Sequence, residues 1–130
     1  MAGKRISILI VDDNDIMRTV LRGILRGDDY EVVGEARNGN LAVELAQRLK
    51  PDIVCLDVMM PEKNGLEALC EIKALRPETE VVMITGNADQ GTVQEAIIGG
   101  AGGFIVKPFN AARVLDTLDK VAARVRQKAG

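Results

Sequence analysis

Apolar residues gather in five short runs, at positions 6–11, 31–36, 53–56, 81–84 and 104–106, spaced at regular intervals along the chain. Most are too short and too continuously aliphatic for surface helices, and Val and Ile dominate them. They read as strands, four of them covered on both faces. Between the runs the period changes. Met17, Val20, Leu21, Ile24 and Leu25 recur at helical spacing, with Arg18, Arg22 and Arg26 along the opposite stripe. Ala42, Leu45, Ala46 and Leu49 repeat that spacing. A third helix starts near Gly65, carries Leu66, Leu69 and Ile72, and stops at Pro77; a fourth runs over about 88–98 and ends at Gly99 and Gly100. The fifth begins behind an N-cap at Asn110 and buries Val114, Leu118, Val121 and Val125.

Five strands alternating with five helices predict an α/β fold, a doubly wound parallel sheet with helices on both faces. No linker, repeat or low-complexity tract interrupts the pattern, so the 130 residues read as one domain over 1–130.

In a parallel sheet every strand's carboxyl end lies on the same edge, where open α/β sheets bind their ligands. The residues that follow the apolar runs there are Asp12 and Asp13, Asp57, Thr85 and Lys107. Three carboxylates at close range need a counter-charge. An all-oxygen ligand set without thiolate or imidazole suits a hard divalent cation such as Mg²⁺. With Lys107 and the Thr85 hydroxyl added, the set matches what a phosphoryl group needs when a carboxylate oxygen attacks it in line. Asp15, at the entrance to the first helix, reads as an N-cap or turn former.

Composition narrows the chemistry further. There is no histidine, which excludes Ser-His-Asp and Cys-His catalysis, histidine metal ligands and a histidine phosphocarrier within this chain. Tyr30, Phe104 and Phe109 are the only aromatics, and the net charge is -2. Neither a stacking platform for single-stranded nucleic acid nor a general attraction to DNA follows. Cys55 and Cys70 are too far apart for a C-x-x-C site, and Cys55 lies inside an apolar run, which fits a reducing compartment. The first apolar run meets Asp12 and Asp13 at once, so it is neither signal peptide nor membrane span, and a cytoplasmic location is expected. A haloacid-dehalogenase-type D-x-D-x-[TV] fails from either Asp12 or Asp13, and an EF-hand loop from Asp13 would place Arg18 where glycine belongs. Arg113, Lys120, Arg124, Arg126 and Lys128 form a basic end that reads as a solvated or partner-facing surface.

Taken together these residues resemble the receiver domain of two-component response regulators, close in size to its single-domain CheY-like members. The resemblance rests on 8–13 with its acidic pair, Asp57-Val58-Met59-Met60-Pro61 followed by Gly65, Thr85-Gly86, and Gly100-Ala101 leading through Phe104 to Lys107-Pro108. It implies a flavodoxin-like (βα)5 fold with strand order 2-1-3-4-5. It also implies that Asp57 is the phosphoacceptor, that Asp12, Asp13, Asp57 and the backbone carbonyl of Met59 organise Mg²⁺, and that Lys107 and Thr85 bind phosphoryl oxygens. Thr85 and Phe104 would form the switch, and the bond before Pro108 would be cis. By the same resemblance, Met59 and Asn87 occupy positions similar to those that tune autodephosphorylation in the family. Phe104 stands where Tyr is commoner and Gly86 where Ala is frequent, while the glycines around Ala101 read as tight turns.

The implied function is a phosphorylation-activated signalling switch that assists its own phosphorylation and dephosphorylation. Its implied partners are a sensor histidine kinase or phosphotransfer protein and a downstream effector, with neither direct nucleic-acid contact nor membrane insertion. A metal-dependent phosphohydrolase and a metal-free pseudo-receiver are the alternatives.

Overall fold

The computed structural model describes residues 5–27, 29–86 and 89–129. Strands and helices alternate: β1 (Ile6–Val11), α1 (Asp15–Ile24), β2 (Tyr30–Ala36), α2 (Gly39–Leu49), β3 (Ile53–Leu56), α3 (Gly65–Leu75), β4 (Glu80–Thr85), α4 (Gln90–Ile98), β5 (Gly103–Val106) and α5 (Ala111–Ala129). The strands form one parallel sheet in the order β2-β1-β3-β4-β5.

Side-chain alternation along the strands divides the apolar residues between two cores. Ile8, Ile10, Cys55, Ile84 and Ile105 point to one face, under Leu21 of α1 and Val114, Leu118 and Val121 of α5. Leu9, Val11, Val54, Leu56 and Met83 point to the other, under Ala42 and Leu45 of α2, Leu69 and Ile72 of α3, and Ala96 of α4. Only β1, β3 and β4 are sealed almost throughout, one strand fewer than the hydrophobic runs suggest. β5 is half-buried and ends in the exposed Val106, because it is a sheet edge like β2. The apolar stripe of α1 is likewise narrower than its spacing implies. Leu21 and Leu25 are buried and Met17 and Ile24 pack on the core, but Val20 is 43% exposed.

Each helix starts behind an Asn or Asp whose side chain accepts a backbone N–H of the first turn: Asn14, Asn38, Asn64, Asp89 and Asn110. The cap of α1 is therefore Asn14 and not Asp15. Asn14 holds an extended conformation and accepts from Met17 at 2.9 Å, which leaves Asp15 as the first helical residue, where its charge suits the positive end of the helix. α4 ends at Gly99, and Gly100 follows at φ +101°, a conformation that glycine adopts without strain.

The basic end of α5 is only partly a solvated surface. At the amino edge of the sheet the buried Glu80 accepts from Lys128 at 2.6 Å and faces Arg124 at 3.5 Å, while Arg124 also donates to the Gly102 carbonyl at 2.7 Å. No helix among the described residues is long and apolar enough to cross a membrane.

Candidate phosphoryl site at the carboxyl edge

The end of β1 is built by backbone hydrogen bonds that continue the sheet one residue past its strands. The Asp12 N–H donates to Ala36 and the Asp57 N–H donates to Val11, both at 3.0 Å, so the two acids sit side by side on adjacent strands. Asp12 is 1% exposed and Asp57 4%, whereas Asp13 points to solvent. One carboxylate oxygen from each of the three lies within 4.8 Å of the others.

Lys107 ties this cluster together from β5. Its Nζ donates to Asp12 at 2.8 Å and lies 3.4 Å from Asp57. The remaining carboxylate oxygens have backbone partners: Asn14 N–H on Asp12 at 2.9 Å and Met59 N–H on Asp57 at 3.4 Å. Burial raises the pKa of the Asp57 carboxyl, the Asp12 charge raises it further, and Lys107 opposes both. Burial also works against the charge on Lys107, but its bonds to Asp12 and the charge of Asp57 outweigh that, and its pKa stays above the ordinary lysine value.

Thr85 closes β4 fully buried, and its carbonyl accepts the Lys107 N–H at 2.9 Å. Phe104 pairs with Met83 and packs half-buried against the same core, two positions back from Thr85 on the same face of the sheet. The Lys107–Pro108 peptide is cis. Met59 lies in the loop after β3, with its N–H toward Asp57 and its side chain exposed. Asn87 lies outside the described residues.

Two glycines fix that loop by close approach. A Cβ on Gly65 would fall 2.1 Å from the Asp57 carbonyl oxygen, and one on Gly39 would fall 2.3 Å from the Lys63 carbonyl oxygen. The start of α3 therefore rests directly on the peptide that carries Asp57, and the start of α2 rests on the far end of the loop.

One residue of this neighbourhood escapes a reading by periodicity. Arg18 falls on the polar stripe of α1, yet its side chain is only 15% exposed. Its Nη1 donates to the Asp12 carbonyl at 2.5 Å, and the rest of the guanidinium pairs with Asp15 and, at 3.3 Å, with Glu35 of β2. Its place in the first turn of α1, directly after the acidic pair, is the only sequence signal for this role.

Residues 8–119 match the family model of the response regulator receiver domain. The chain belongs to that family. It is 50% identical over 117 residues to the chemotaxis protein CheY of Listeria monocytogenes, a match covering 90% of this chain and 98% of that one. Identity to CheY of Thermotoga maritima is 48%, covering 92% and 98%. Among solved structures, the CheX-CheY-BeF3-Mg²⁺ complex from Borrelia burgdorferi is similar at a TM-score of 0.86 and 31% identity, covering 89% of this chain and 88% of that one. This CheY-like receiver domain is thus a signalling protein, a phosphorylation-dependent switch. The donors of its acidic cluster are all oxygen, three carboxylates within reach of one another, which fits a hard divalent cation and not a thiophilic one.

Proposed function

We propose that Asp57 is the phosphoacceptor of this switch, taking a phosphoryl group from a partner's phosphohistidine or from a small phosphodonor. An Asp57 carboxylate oxygen attacks phosphorus in line. The bond from phosphorus to the donor atom breaks, and its electron pair stays with the donor, which takes up a proton. The observation that carries this reading is the Lys107 ammonium held between Asp12 and Asp57, where a phosphoryl group on Asp57 would meet a fixed positive charge.

Asp12, Asp13 and Asp57, with the Met59 backbone carbonyl, would hold Mg²⁺, and the ion would neutralise charge on the phosphoryl oxygens. Lys107 binds one of those oxygens and the Thr85 hydroxyl donates to another. Phe104, packed behind Thr85 on the same face, follows its shift, and the surface of α4, β5 and α5 changes for a downstream effector. Met59 and Asn87 set how long the phosphoryl group survives. Residues 1–130 act in this as one receiver domain, written to by a sensor histidine kinase or phosphotransfer protein. The BeF3 and Mg²⁺ named in the Borrelia complex support such a site in a relative.

Acetyl phosphate with Mg²⁺, followed by intact-mass measurement, tests the assignment. A single phosphoryl adduct is expected on the wild type and none on Asp57→Asn. No adduct on the wild type, or an undiminished one on Asp57→Asn, sinks it.

A further inference from the structure

The most exposed large apolar side chain of the described residues, Ile98 at 84%, stands at the end of α4 beside a groove that the phosphoryl site does not use. The groove encloses about 390 Å³ between α3 and α4, within the range of ligand sites. Leu66 and Cys70 come from α3, and Ile98 and Gly99 from the end of α4. Its floor depends on Gly99, where a Cβ would lie 2.9 Å from Leu69 Cδ2, so the helices approach closely at that end and leave the groove open above it.

The polar residues lining the groove are acidic and stand on opposite walls, Glu67 on α3 and Glu95 on α4. Neither has an ion-pair partner among the described residues; the Glu67 carboxylate accepts only the Asn64 N–H of its own capping box. The nearby cations are committed elsewhere. Lys73 donates to the Pro77 and Thr79 carbonyls, and Lys63 pairs with Glu71. An apolar strip between two unneutralised carboxylates is complementary to an apolar segment flanked by positive charge, and a groove between two helices accepts such a segment as an amphipathic helix.

We propose that the α3–α4 groove is a docking site for an amphipathic helix of a partner protein, with aliphatic side chains on Leu66, Cys70 and Ile98 and Lys or Arg residues facing Glu67 and Glu95. Cys70 is exposed in the groove, and Cys55 is buried with its thiol pushed up to about 12, so Cys70 is the thiol that reports on occupancy.

The test uses a fluorescein-labelled synthetic helix with a leucine stripe flanked by lysines, and a second peptide with glutamates in place of the lysines. Binding to the full chain is read by anisotropy, and occupancy by the rate at which Cys70 reacts with a disulfide reagent. The lysine peptide should bind and slow the Cys70 reaction. Ile98→Ser and Glu95→Lys, both at exposed positions, should each weaken binding by about tenfold or more while leaving the thermal midpoint unchanged. Ile16→Ser, also exposed but on α1, should bind as the wild type does. Failure of the lysine peptide to bind overturns the proposal, as does equal binding of the glutamate peptide, an unprotected Cys70, or wild-type affinity in Ile98→Ser. A concentration-dependent dimer that Ile98→Ser abolishes would give the groove to a second copy of this chain, and that also overturns it.

Discussion

Arg18 is worth more to the acidic cluster than its charge alone. A guanidinium near three carboxylates repels a divalent cation, so simple electrostatics expects Arg18→Met to bind Mg²⁺ more tightly. The geometry argues the reverse. By holding the Asp12 carbonyl at 2.5 Å while anchored to Asp15 and Glu35, Arg18 fixes the peptide between the two acids, and ligands that must be gathered from a loosened loop bind less well. Calorimetry on the unphosphorylated protein is expected to show Mg²⁺ affinity falling about tenfold in Arg18→Met. Arg18→Lys keeps the charge but not the three-way fork and should recover only part of the loss. Affinity equal to or above that of the wild type would reduce Arg18 to a charge on the surface.

At the level of elements, the long α5 is held to the sheet by apolar packing and by one buried carboxylate. Burial alone would raise the Glu80 pKa, but the Lys128 bond and the charges of Lys128, Arg124 and Lys73 win, and it falls below its ordinary value near 4.5. A carboxylate depressed in the folded state stabilises fully above its unfolded pKa and ceases to do so as the pH drops through the folded one. Glu80→Gln should therefore cost about 1 to 2 kcal/mol between roughly pH 6 and 8, discounted for the half-exposed cations, and the gap to wild type should close below about pH 4.5. Thermal melts of both proteins across that range check it. The contrast with the strands shows what was legible beforehand. β1, β3 and β4 announce themselves because burial on both faces leaves an uninterrupted aliphatic run, and Asp12, Asp57 and Thr85 follow from where those runs stop, as Lys107 does from the shorter run of β5. Glu80 does not, because Lys128 lies 48 residues away, and Arg18 does not, because it falls on the polar stripe of α1 and no period records that its guanidinium folds back onto the Asp12 carbonyl. The cap of α1 is hidden for a smaller reason: Asn14 and Asp15 are adjacent and both cap well, and backbone conformation decides between them.

Across the whole molecule the two edges of the sheet have opposite characters. The amino edge is closed by Glu80 and its cations, while the carboxyl edge gathers three carboxylates, two of them on the Lys107 ammonium, and carries a standing repulsion. A cation bound there is expected to stabilise the entire fold. At ten times its dissociation constant Mg²⁺ should add about 1.4 kcal/mol, a rise of roughly 5 °C in melting temperature that chelation reverses and that Asp57→Asn diminishes. Calorimetric scans with Mg²⁺ and with chelator measure this directly. The surroundings of Asp57 also differ in compliance. On the α3 side the Gly65 backbone bears on the Asp57 carbonyl so closely that there is no space for a methyl group. Across the site, the nearest described residue outside its own chain neighbours that a Cβ on Gly86 would meet is Lys107, whose Cβ would lie 4.0 Å away, and Phe104 is only half-buried. A load applied at Asp57 thus meets a hard stop on the α3 flank and, among the described residues, a softer one beside Gly86 and Phe104.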